Sequence, residues 1–135
     1  DWNGIILTHD GARPFVTKDE VLAVIKGALE SGACCLSTPM KDTVKISEDG
    51  KWSGVTPDRS KLYAIQTPQG FQKDILVRAY VQAYDEGYYG TDDCSLVEKT
   101  GRRVKLIRGS YNNIKLTTPE DLIFADAIYS DRKGS

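Results

Sequence analysis

Apolar and polar positions along this chain alternate between two periods. Residues 4–8 are a short apolar run suited to a buried strand, and they lead into a polar loop at 9–14. Thr17, Lys18, Asp19 and Glu20 then have the form of a capping box, with Thr17 capping a helix and Glu20 reaching back. Val21, Val24, Ile25, Ala28 and Leu29 recur at helical spacing, and Gly32 marks the end of that helix. Residues 33–37 predict a second buried strand, stopped by Thr38 and Pro39.

The texture changes over about residues 40–60. Residues 43–47 and 52–55 flank Glu48-Asp49-Gly50-Lys51, and the Asp-Gly pair predicts a β-hairpin. Its strands carry few apolar residues, so little would anchor them to a core. The segment therefore predicts a projecting arm. A lone two-stranded hairpin is marginal in water, which makes a second subunit the natural packing partner.

Residues 62–66 predict a third core strand, entering a loop at 67–71. Residues 73–86 suit a helix, with Ile75, Leu76, Ala79, Tyr80 and Ala83 on one face and Gly87 past its end. Thr91 is placed to cap a short helix with Asp92 and Asp93 in its first turn, ended by Gly101. Residues 104–107 and 114–116 predict a fourth and a fifth strand. Thr118-Pro119-Glu120-Asp121 starts a last helix to about Tyr129, and residues 131–135 are expected to fray. Strands alternating with helices predict an α/β domain with a mostly parallel sheet.

A length of 135 residues suits one domain with a single core. The net charge of -1 lacks the basic excess of a nonspecific nucleic-acid binder, so an anionic ligand must be held by a few placed cations. Cys34, Cys35 and Cys94 show no metal-ligand spacing and read as buried thiols in a reduced compartment. No apolar run reaches the roughly 18 residues of a membrane span, and no signal peptide opens the chain. A cytoplasmic protein is expected, or one of the plastid stroma after removal of an import segment. Asp1-Trp2 is no initiator sequence and a strand follows at once, so further chain is expected before it.

In open α/β sheets, ligands bind beyond the carboxyl ends of the strands. The polar residues there are Asp10 and Arg13 after the first strand, Thr38 and Lys41 after the second, and Thr67 after the third. Lys115 lies in the fifth strand and Thr91 at a helix start. Thr91 and the amides behind it could accept a phosphate. Arg13 and Lys115 could offset the charge of a phosphoryl transfer. Asp10 could bind a sugar hydroxyl or assist a divalent metal. Plain structural roles stand beside these: a turn for Asp10, a cap for Thr91, a surface ion pair for Arg13 and a solvated strand position for Lys115. The sole histidine, His9, reads as structural. Spacing alone points no further than a phosphate-binding α/β domain.

The residue strings are more specific. HDGARPF (9–15), DTVK (42–45), QTPQGF (66–71), TDDCSLVE (91–98) and GSYNNIKLTTPEDL (109–122) follow one another in a family's order and spacing. They resemble the methylerythritol phosphate cytidylyltransferases of non-mevalonate isoprenoid synthesis over essentially the whole chain. The resemblance implies a Rossmann-like nucleotidyltransferase sheet with a hairpin dimerisation arm. It also implies transfer of a cytidylyl group from CTP to 2-C-methyl-D-erythritol 4-phosphate, with magnesium present and pyrophosphate released. Asp10 and Arg13 would contact the methylerythritol part. Thr67, Thr91 and Lys115 would surround its phosphate, with Lys115 also facing the transferring α-phosphate as the catalytic cation. Thr43 and Arg59 would act from the arm of the neighbouring subunit of a homodimer.

The chain departs from the family in one respect: no Gly-rich loop of the kind that holds the CTP phosphates occurs in it. Residues 1–135 are thus expected to be the C-terminal part of a single cytidylyltransferase domain, inactive alone. Two alternatives remain at this point. One is a ribitol 5-phosphate (pentitol-phosphate) cytidylyltransferase, which shares the fold and several strings. The other is a non-catalytic module that dimerises through the arm.

Overall fold

A computed structural model describes residues 2–134. Strand β1 (Ile5–Thr8) is followed by helix α1 (Lys18–Ser31), β2 (Ala33–Pro39), a 3₁₀ turn (Arg59–Lys61) and β3 (Tyr63–Gln72). Helices α2 (Lys73–Glu86) and α3 (Asp93–Lys99), strand β4 (Lys105–Arg108) and helix α4 (Pro119–Lys133) complete the order. The Thr17 hydroxyl caps α1 by accepting the Glu20 N–H, and Gly32 ends that helix with φ 88°. The return half of the expected capping box is missing, and Glu20 Oε2 lies buried without a hydrogen-bond partner.

The class is α/β, but the sheet is mixed, not mostly parallel. Its order is β1-β3-β2-β4, with β3 antiparallel to both neighbours and only β2 and β4 parallel. The difference arises in residues 67–71, expected as a loop because they are polar and contain Pro and Gly. They continue β3 instead: Gln69 pairs with Thr8 and Cys35, Gly70 with Leu7 and Cys34, and Phe71 with Ile6 and Ala33. The register breaks beside them. Cys35 faces Gln69 whereas Ser37 faces Ile65, so Gln66, Thr67 and Pro68 bulge opposite Leu36 alone. A bulge is where a central strand tolerates Pro, because no ladder donor is needed there.

Helices cover the sheet through two apolar clusters. Val24 and Ala28 of α1 pack with Cys34 and Leu36, and Ile5, Leu7 and Ile107 close that cluster. Phe71, Leu76, Ala79, Cys94 and Val97 pack with Ala33 and Cys35. Adjacent strand residues point to opposite faces, so Cys34 and Cys35 serve different clusters. All three cysteines are free and buried. Burial pushes the Cys34 thiol up to about 11. A hydrogen bond with Cys35, then burial, pushes Cys94 up as well.

Four further expectations are corrected. Residues 43–47 and 52–55 form no strands: two backbone bonds, Ile46 N–H to Val55 O and Gly54 N–H to Ile46 O, hold them together. Asp49 accepts the Lys51 and Trp52 N–H groups there, a local arrangement that competes with a ladder and lowers the Asp49 pKa. Residues 114–116 are not a strand either, since one bond, Leu116 N–H to Ala12 O at 2.8 Å, fastens them. Asp92, not Thr91, caps α3, in a capping box with Ser95. Helix α4 continues through Lys133 where fraying was expected, while Ser135 lies outside the described residues.

Gly70 lets α1 approach the sheet. A Cβ there would stand 2.7 Å from Val24 Cγ1 and 3.1 Å from Leu7 Cδ2. Gly70→Ala is expected to lower stability by about 1–3 kcal/mol through overpacking. Gly11→Ala, where a Cβ meets nothing within 4 Å, should stay within about 0.5 kcal/mol of the parent in urea unfolding.

Candidate functional site

The loop after β1 begins at the bulge of β3. The Asp10 N–H donates to Thr67 Oγ1 at 2.9 Å, so the bulged residue fixes where the loop leaves the sheet. Within the loop, the Arg13 N–H closes a turn on Asp10 O at 3.0 Å. The Arg13 guanidinium then reaches Asp10 Oδ2 at 3.2 Å through Nε and Asn113 O at 2.7 Å through Nη1.

Asn113 anchors the opposite wall. It is fully buried, and its Nδ2 donates to Thr67 O at 2.9 Å and Gln66 Oε1 at 3.2 Å. Gln66 in turn donates to Ser110 O at 2.9 Å. Buried amides need such partners, and these hold the segment after β4 against the bulge. Two residues further on, Lys115 Nζ comes within 3.8 Å of Asp10 Oδ2. One carboxylate is thereby shared by two cations. Lys115 remains about half exposed, whereas the Arg13 side chain is 13% exposed.

Helix α3 forms the third wall. Gln69, 2% exposed, donates to Asp92 Oδ2 at 2.8 Å and accepts the Cys94 N–H at 3.1 Å. Asp92 Oδ1 accepts the Ser95 N–H at 2.8 Å. The Cys94 and Ser95 amides are therefore engaged, beside a carboxylate. Thr91 stands exposed on the rim of the cleft. Across the helix, Tyr80 donates to Asp93, which pushes the Tyr80 phenol up to about 12 and ties α2 to α3.

These walls enclose an open cleft of about 330 Å³ lined by Asp10, Arg13, Ile65, Gln66, Thr67, Gln69, Thr91, Asp92 and Lys115. All five residues expected to meet substrate from within the chain, Asp10, Arg13, Thr67, Thr91 and Lys115, line it. Two cations face two carboxylates, so the space offers hydrogen-bond donors and one half-exposed ammonium in place of a strong positive field.

Residues 1–131 match the family model of 2-C-methyl-D-erythritol 4-phosphate cytidylyltransferase. The chain belongs to that family. It is 50% identical over 129 residues to the cytidylyltransferase of Alkaliphilus oremlandii, covering 96% of this chain and 55% of the relative. To that of Desulforamulus reducens it is 48% identical over 128 residues, with 95% and 55% covered. The crystal structure of the Thermus thermophilus cytidylyltransferase superposes with a TM-score of 0.84 at 37% identity, covering 92% of this chain and 61% of that one. A structure of 4-diphosphocytidyl-2C-methyl-D-erythritol synthase from Anaerococcus prevotii gives 0.84 at 40% identity, covering 94% and 59%. The chain spans about half the length of the curated relatives it matches.

Thr43 and Arg59 do not line this cleft. Arg59 Nη1 donates to Lys41 O at 3.0 Å, and the Lys41 ammonium lies 3.8 Å above the Tyr111 ring. Among the described residues no three His, Cys, Asp or Glu side chains converge as metal ligands, and Asp10 already answers two cations. Gln66, Gln69, Asp92 and Asn113 escaped the reading of the sequence. Their signal was present as polar residues inside the quoted strings, two of them, Gln66 and Gln69, within β3.

Gln69→Leu would leave Asp92 Oδ2 and the Cys94 N–H without their partner. A loss of about 1–3 kcal/mol is expected in urea unfolding, with faster hydrogen exchange at Cys94 and Ser95. Asp85→Asn, on the exposed face of α2, should change stability by less than about 0.5 kcal/mol.

Proposed function

We propose that this chain carries the acceptor side of a cytidylyl transfer, binding 2-C-methyl-D-erythritol 4-phosphate for attack on CTP. One observation carries the reading: Asp10, Arg13, Thr67, Thr91 and Lys115 come from four separate strings and line one cleft, in a chain of this family. Family membership favours the methylerythritol acceptor over ribitol 5-phosphate, and the cation-bearing cleft favours an enzyme over a non-catalytic module.

The acceptor is already a phosphate anion, so the chemistry needs no strong base. An oxygen of the 4-phosphate bonds to the α-phosphorus of CTP. The bond from that phosphorus to the bridging oxygen breaks, and its electrons leave with pyrophosphate. Asp10 orients Arg13 and Lys115 and faces the hydroxyls of the tetrol. Arg13, braced by Asn113 O, is a fixed cation. Lys115, half exposed and only 3.8 Å from Asp10, is free to move onto the reacting phosphate. A cation there opposes the charge that builds on the transferring group.

On the same reading, Thr43 and Arg59 reach the cleft of a neighbouring subunit in a cytoplasmic homodimer. The exposure of Ile46, Trp52 and Val55, which supply apolar surface for a partner to cover, supports this. Magnesium, as the resemblance implies, would supply further neutralisation of the phosphate charge.

The test is Lys115→Ala in a protein of its relatives' full length. Cytidylyl transfer to 2-C-methyl-D-erythritol 4-phosphate should fall by a factor of about 100–1000 in kcat. Unchanged turnover would remove Lys115 from the chemistry. Turnover of ribitol 5-phosphate in place of the methylerythritol substrate would overturn the acceptor assignment.

A further inference from the structure

The hydrogen bonds around His9 fix the direction of the Thr67 hydroxyl. His9 Nε2 lies 3.0 Å from Arg13 O, and a carbonyl oxygen only accepts, so Nε2 carries a proton. In the neutral ring Nδ1 is then an acceptor, and it lies 3.0 Å from Thr67 Oγ1. Thr67 Oγ1 also accepts the Asp10 N–H at 2.9 Å. The single hydroxyl proton of Thr67 must therefore point at His9. Although Thr67 lines the cleft, it has no proton to offer an anion there.

Protonating Nδ1 reverses this. The imidazolium donates to Thr67 Oγ1 and keeps its Nε2–H bond to Arg13 O. Thr67 then accepts twice, from Asp10 N–H and from His9, and its own proton turns towards the cleft. Every donor and acceptor remains satisfied, because a hydroxyl has one proton and two acceptor sites.

We infer that His9 is a positioning residue that sets the donor direction of Thr67, so that an anion entering the cleft is bound together with one proton taken up by His9. This deepens the phosphate-acceptor reading above and rests on it for the natural ligand. The charged groups around the ring are Asp10 and, from α3, Asp92 and Asp93, which share a small hollow with His9 and Thr67. Arg13 and Lys115 stand on Asp10. Strand β3 presents only uncharged Thr67 and Gln69 to that hollow. Three carboxylates, those of Asp10, Asp92 and Asp93, thus stand around the ring, against the two cations on Asp10.

His9 is the sole histidine, so its ring nitrogens give one set of NMR signals in this 135-residue chain. Inorganic sulfate is the probe, because it stays a dianion throughout the pH range used. At saturating sulfate, Nδ1 should change from an unprotonated to a protonated resonance while Nε2 stays protonated. Sulfate affinity should rise by up to about tenfold per unit as pH falls between about pH 8 and pH 6, as uptake of one proton requires. Thr67→Ser should keep that slope, and Thr67→Val, which removes the hydroxyl, should flatten it. An unprotonated Nδ1 in the sulfate complex would overturn the inference. So would a full slope in Thr67→Val, which would mean simple attraction by the imidazolium, or the absence of sulfate-induced shifts at Arg13 and Lys115. Displacement of sulfate by 2-C-methyl-D-erythritol 4-phosphate tests the other claim separately. Sulfate that protonates Nδ1 but is not displaced leaves the His9 inference standing and contradicts the substrate.

Discussion

Three buried amide side chains, Gln66, Gln69 and Asn113, sit where β3 bulges beside Leu36, and each must find partners away from water. Gln69 meets this requirement with Asp92 and the start of α3. Gln66 and the Asn113 Nδ2 group meet it with each other, with Thr67 O and with Ser110 O, while Asn113 Oδ1 stays buried without a partner. The segment that bears Lys115 has little regular structure of its own near the cleft, and the bulge ties it down through buried polar groups. Asp92 caps α3, which the same bulge holds through Gln69 beside the apolar packing of Cys94 and Val97. An unmade bond of this kind costs about 1–3 kcal/mol, enough to fix a loop that contributes few apolar contacts.

The ionic part of the cleft is built on that frame. Asp10 leaves β1 with its N–H on Thr67, and its carboxylate gathers Arg13 and Lys115. The two cations differ in a way that matters for phosphoryl chemistry. Arg13 is bonded on two sides and largely covered, suited to holding a bound group in register. Lys115 is exposed and loosely paired, suited to following charge as it develops. Near-neutrality of the site agrees with a chain whose net charge is -1: specificity for an anion comes from placement.

Much of this was legible beforehand. The helices of residues 18–31 and 73–86 followed from apolar spacing and terminal glycines, and the residue strings led to the family and to five of the residues that line the cleft. Strand β3 was misread for a physical reason. Gln, Thr, Pro, Gln and Gly in sequence look like a loop, because polarity and proline both argue against a central strand. Only the tertiary bulge, which removes the need for a ladder donor at Pro68, permits them there. Residues 43–55 erred the other way: an Asp-Gly turn was present, but Asp49 took the nearby N–H groups that a ladder would have used. His9 read only as structural from sequence, since its hydrogen bonding depends on which nitrogen meets the Arg13 carbonyl.

The central claim is that the cleft between the β1 loop, the β3 bulge and α3 binds the acceptor phosphate by itself. Isothermal titration calorimetry of this chain with 2-C-methyl-D-erythritol 4-phosphate tests that claim most directly. One saturable site per chain is expected, weakened as salt screens Lys115. A titration with no saturable heat, or one unaffected by removing both Arg13 and Lys115, would contradict it.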